Sequence, residues 1–210
     1  MHPRLSVILI AGLCALIAAP RMFAQQSPPT TEVGASQLAL ANLPAKSSQK
    51  MTLTSPAFAP GADIPFVNTR YRGNVFPGLS WSAGPAGTKS YVVIMQDGDA
   101  LVGGAPILHL TMLDIPASTT KLDAAMSAPP SGAQYGPNIR GANQPYAGPR
   151  TPAGPKHRYH FQLFALDSSI PPAGAATYAT LVAAMRDHVL ASGELIGLGQ
   201  IDPDSAARAH

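Results

Sequence analysis

The residues able to do chemistry in this chain are two acids, two histidines and a phenol. Asp97 and Asp99 stand in the QDGDA segment directly after the apolar run at 90–95 (SYVVIM). A spacing of two puts both carboxylates on one face if the strand continues, which suits a paired acceptor or metal ligation. Gly98 between them favours a turn instead, in which the acids cap backbone or face solvent. His109 sits in the middle of ILHLTMLDI at 107–115, a strand with so little polar content that the imidazole must be at least partly buried. A buried imidazole needs a partner, so it is either a core histidine bonded to a neighbour or the wall of a pocket. His157 and Tyr159 open the run at 159–166 (YHFQLFAL) and share one face at period two, with Arg158 and His160 on the other.

Immediately upstream, Gly148, Pro149, Pro152 and Gly154 make an approach poor in side chains, where backbone N–H groups can line a concavity for an oxyanion. The other reading is a strand end with incidental polar residues. The sequence contains no G-x-S-x-G, HExxH, Walker-type or dinucleotide-binding glycine motif. The four Asp and His residues could build a hydrolytic or metal site, but no pattern fixes their mutual geometry. The expectation is therefore a binding site without catalytic residues, metal or cofactor.

These groups must be positioned by strands. Short apolar runs at 51–53, 90–95, 107–115 and 159–166, rich in aromatic and β-branched residues, alternate with turn residues. Residues 127–156 carry seven Pro and five Gly with no period, and a loop this long inside a domain is functional or disordered. Tyr178, Leu181, Val182, Met185 and Val189 recur at helical spacing and predict an amphipathic helix ending near Gly193, which packs on the sheet. With 22 Pro, 19 Gly and 12% charged residues in 210, a mainly β fold is expected, a compact antiparallel sandwich with a C-terminal helix.

Residues 1–24 read as a secretory signal peptide: Arg4, an apolar stretch from Leu5 to Ala19, and Ala24 before Gln25. The stretch is short for a membrane span, so no transmembrane segment is expected in the mature chain. Cys14, the sole cysteine, follows Leu13 where a lipid-anchor signal wants a small residue, so the exported chain would carry no thiol, disulfide or Cys-based metal site. Residues 25–49 have the Ser, Pro, Thr, Ala and Gln content of a flexible lead-in. The domain is placed at 50–200 and a tail at 201–210. The net charge of +3 falls to +1 without Arg4 and Arg21, too little for a nucleic-acid footprint.

TSPAF at 54–58, IP at 64–65, GNVFPGLSW at 73–81, TKSYVVIMQDGDA at 88–100, the His109 strand ending in DIPA, YAGPRTP at 146–152 and HRYHFQLFALD at 157–167 follow one another in order. Together they resemble the phosphatidylethanolamine-binding protein family, and most nearly its bacterial, Raf kinase inhibitor-like branch, over residues 51–197. The resemblance implies antiparallel sheets and a small pocket for phosphate- or carboxylate-type anions, phospholipid head groups included. Its residues would be Asp97, Asp99, His109, Gly148, Pro149, His157 and Tyr159. Departures sit at the rim: the family's DPDAP is Asp97-Gly98-Asp99-Ala100-Leu101 here, GPCPP is Gly148-Pro149-Arg150-Thr151-Pro152, and Leu110 replaces a common tryptophan. Arg150 adds a cation that could contact an anion. The expected function is an exported, periplasmic or secreted binding protein; the alternatives are a regulator that docks a protein partner through the 127–156 loop and a hydrolase.

Overall fold

The computed structural model describes residues 26–170 and 176–207, so the segment read as a signal peptide lies outside it. It holds two antiparallel sheets. Strands β1 (Leu53–Thr54), β2 (Leu79–Trp81) and β5 (Lys121–Leu122) form a small sheet in the order β1-β2-β5. Strands β3 (Ser90–Val102), β4 (Ala105–Pro116), β6 (Gln134–Tyr135), β7 (His157–Leu166) and β8 (Val189–Gly199) form the large one, ordered β6-β4-β3-β7-β8. The fold is mainly β, as composition required.

The long strands read as near-continuous apolar runs because both faces of the large sheet are covered. On one face Tyr91, Val93, Met95, Leu110, Met112, Phe161 and Leu163 pack with Leu53, Leu79, Trp81 and Leu122 of the small sheet. On the other, Val92, Ile94, Leu113, Phe164 and Leu166 form a second core with Leu181 and Met185 of helix α2 (Tyr178–Met185) and with Ala39 and Leu43. Thr177 caps α2 in a reciprocal pairing with Thr180.

Three expectations change. The apolar stripe at 178–189 is not one helix: α2 ends at Met185, Asp187 takes a left-handed φ of 64°, and Val189 begins β8. The reason is tertiary, since residues 189–199 pair with β7 along its whole length, and pairing outweighs a local helical period. Second, Gly98 does not end β3. The strand runs on to Val102, and the turn falls at Gly103 and Gly104, both with positive φ.

Third, the segment read as a flexible lead-in is docked. Helix α1 (Ala39–Asn42) has no side-chain cap of its own; its first free N–H groups, of Ala39 and Leu40, donate to Gln96 Oε1 (2.9 Å) and Gln162 Oε1 (2.7 Å). These fully buried glutamines, on β3 and β7, bond to each other at 2.9 Å. Polar residues inside an apolar sheet thus hold the segment, and Leu38, Ala39 and Leu43 are buried there. At the other end, helix α3 (Pro203–Ala207) is joined to the body by Arg72, whose guanidinium grips Asp202 at 2.7 Å and Asp204 at 2.8 Å.

Candidate functional site

Antiparallel register sets Asp97 directly opposite Tyr159, so both side chains leave the large sheet on the face of the first core. His157, two residues before Tyr159, joins them, and its Nδ1 lies 2.8 Å from Asp97 Oδ2. His109 arrives through a register break. Met95 pairs with Leu110 and Gln96 with Leu108, which leaves His109 as the extra residue of a β-bulge. Its ring meets that of Tyr159 edge-on at 5.2 Å. A wider break, between Asp97 and Leu101 against Ile107 and Pro106, sets Asp99 outside the ladder. There the Asp97 carboxylate accepts the Asp99 N–H at 2.9 Å.

The two acids serve different partners. Asp99, its side chain 1% exposed, accepts from the Arg158 backbone N–H and from Nε, both at 2.8 Å. Burial alone would push the Asp99 carboxyl up, but the hydrogen bonds and charge of Arg158 outweigh it and hold it below the usual range. Burial likewise pulls the His157 imidazole down, and the hydrogen bond and charge of Asp97, with Asp99 adding, more than restore it and leave it raised. The charged form of His157 is therefore favoured relative to a free imidazole, with Nδ1–H donating to Asp97, and in that form Nε2–H is left to donate elsewhere.

His109 is the opposite case. Only 3% exposed, it is held below the usual histidine range by desolvation, against weaker contrary effects of the Ala147 hydrogen bond and the Asp97 charge. Its Nδ1 lies 2.6 Å from the Ala147 carbonyl and must donate to it, which fixes the tautomer and leaves a bare lone pair on Nε2. That buried Nε2 has no hydrogen-bond partner. Tyr159, held neutral by burial and by the neighbouring Asp97 charge, shares a hydrogen bond of 2.9 Å with Thr151 Oγ1.

The Gly148–Pro149 turn closes over His109, since Ala147 N–H returns a bond of 3.0 Å to the His109 carbonyl. Here the structure qualifies the sequence reading. The Gly148 N–H points to Asn74 Oδ1 at 2.7 Å, not to a ligand, and a Cβ at Gly148 would approach the Asn68–Thr69 backbone. The glycine permits close packing. Asn74, in the left-handed region at φ 57°, also donates to the Tyr146 carbonyl at 2.9 Å and so clamps the loop at both ends. Asn138 does the same from beneath, donating to the Pro145 carbonyl at 2.8 Å. Neither asparagine was singled out from sequence, although Asn74 lies within the GNVFPGLSW motif, and Thr151 entered only as part of the YAGPRTP match. Among the described residues no group of three or more His, Cys, Asp or Glu is arranged to hold a metal ion.

The sequence profile described as phosphatidylethanolamine-binding protein matches residues 54–200. The chain belongs to the phosphatidylethanolamine-binding protein family. A UPF0098 protein of Aquifex aeolicus is 35% identical over 158 residues, covering 72% of this chain and 90% of its own. A Mycobacterium tuberculosis protein named as a lipoprotein, LppC, is 33% identical over 158 residues, covering 75% and 76%. Among solved structures, a phosphatidylethanolamine-binding protein homologue of Chlamydia trachomatis superposes with a TM-score of 0.66 at 30% identity, covering 74% of this chain and all of that one. Escherichia coli YbcL gives 0.65 at 27% identity, covering 73% and all of its chain. The family region begins at residue 54, so the docked segment at 26–49 lies wholly before it.

Proposed function

We propose that this member of the phosphatidylethanolamine-binding protein family is an exported, non-enzymatic binding protein. Its ligands are phosphate- or carboxylate-type anions, phospholipid head groups among them, at a site built from Asp97, Asp99, His109, Gly148, Pro149, His157 and Tyr159. The observation that carries the reading is the unpartnered Nε2 of buried His109 beside the His157–Asp97 pair. A buried polar atom without a partner is costly and marks a place where something binds. A protonated oxyanion can donate to the lone pair of His109 Nε2, or an anion can draw a proton onto that ring, while the His157 cation donates from Nε2. The Asp97 and Asp99 carboxylates act from behind, orienting His157 and Arg158 without facing the anion. Export accords with the signal-like residues 1–24 and with the name of the lipoprotein relative LppC. No helix of the described residues is long and apolar enough to cross a membrane.

The test is a histidine-resolved NMR titration with inorganic phosphate, acetate and vesicles containing phosphatidylethanolamine. The rings of His109 and His157 are expected to shift with the free anions, and with vesicles if the head group is a ligand. Full phosphate affinity in His157→Ala would refute the assignment.

A further inference from the structure

Two guanidinium groups stand at the edge of this site without a carboxylate. Arg72, Arg158, Lys46, Lys121 and Lys156 are each paired with an acid at 2.5–2.8 Å. Arg70 and Arg150, like Lys50, Lys89, Arg140 and Arg186, have no ion-pair partner among the described residues, but these two alone among them are joined to the Gly148–Pro149 turn that closes the site. The Arg70 backbone N–H donates to the Pro149 carbonyl at 2.9 Å, and Arg150 follows Pro149 in the chain. The Arg150 guanidinium lies over the Tyr71 ring, 5.6 Å from its centre. The Tyr71 hydroxyl in turn donates to the Thr151 carbonyl at 2.6 Å, and Thr151 Oγ1 meets the Tyr159 hydroxyl. The Tyr71 ring on which Arg150 stacks is therefore tied through Thr151 to the phenol inside the site.

The charges reach the same place. Arg70 opposes protonation of His109, and both arginines act on Tyr71. The nearby acid that also acts on Tyr71, Asp202, is gripped by Arg72. An Arg fork held by stacking, with its donors free, is suited to bidentate capture of an oxyanion.

We propose that Arg70 and Arg150 form a second anion subsite at the mouth, so that the ligand carries two adjacent anionic groups, as in a diphosphate. The inference rests on the anion-binding reading of the histidine site and adds the class of ligand to it. Arg150 stands where the family pattern has cysteine, which makes the second subsite a property of this chain and not of the common pocket.

The experiment is calorimetric titration at constant ionic strength with inorganic phosphate and inorganic diphosphate, on the unaltered protein and on the R70Q/R150Q double variant. Diphosphate is expected to bind about tenfold more tightly than phosphate, as two charge-assisted contacts require. The double variant should lose that preference and keep its phosphate affinity within about threefold, because both side chains are exposed rim groups. Phosphate binding without a diphosphate preference, or a preference that survives in R70Q/R150Q, overturns the second subsite and leaves the histidine site standing. Failure of both anions to bind overturns the two together.

Discussion

Replacing Leu43 by alanine should destabilise the whole protein, although residue 43 lies in a segment whose composition reads as a tail. Leu43 is 2% exposed and belongs to the same buried cluster as Val92, Phe164, Met185 and Val189. Truncating a leucine in such a place costs about 2–5 kcal/mol, the lower values where the surroundings relax or water enters. A surface depression of about 320 Å³, lined by Leu43, Pro44, Arg186 and Val189, opens beside it, so water can occupy the vacated volume. The expected loss is therefore about 2–3 kcal/mol. For a domain of this size that lowers Tm by roughly 4–12 °C. Urea unfolding followed by circular dichroism should show a lower midpoint with an unchanged slope. The control is Val33→Ala in the same segment, 57% exposed and expected within about 0.5 kcal/mol of the parent. Equal stabilities for Leu43→Ala, Val33→Ala and the parent would show that the segment does not dock on the sheet in solution.

Arg158→Ala leaves the buried Asp99 carboxylate without its guanidinium, and a loss of about 3–5 kcal/mol is expected in the same assay. Acid should act through this pair too. The folded Asp99 carboxyl is lowered, so the unfolded chain binds the extra proton and the stabilisation is complete above the unfolded value near pH 4. It is lost as pH falls through the lower folded value, and Asp99→Asn should flatten that part of the stability profile. Ligand binding should run in the other direction with pH. An anion beside His109 raises an imidazole that burial holds down, so binding takes up a proton and weakens as pH rises. With sulfate, which does not titrate in this range, affinity should fall at least about threefold from pH 6 to 8, and a flat profile would remove His109 from the site. Gly199→Ala would drive a Cβ into the Tyr159 ring and to 2.6 Å from Thr151 Oγ1, so phosphate affinity should drop even in folded protein, measured by the same calorimetry.

What the sequence determined by itself was the strand content and the division of the candidate residues between faces. Period two puts His157 and Tyr159 on one side and Arg158 and His160 on the other, and any strand through those residues must keep that alternation. In the fold, His157 and Tyr159 meet Asp97 and His109, while His160 on the reverse face is flanked by Glu32 at 2.7 Å and Glu194 at 2.8 Å. Tertiary structure alone decided three other matters. His109 reaches the site through a bulge, and a bulge is a misfit between two strands that neither strand encodes alone. The helical stripe at 178–189 broke because residues 189–199 had a long partner strand in β7. The polar segment before residue 50 became part of the body because Gln96 and Gln162, far away in sequence, supply the acceptors that the first N–H groups of α1 lack. Local pattern reports which face a residue prefers; which distant group completes its hydrogen bonds is settled only when the chain closes on itself.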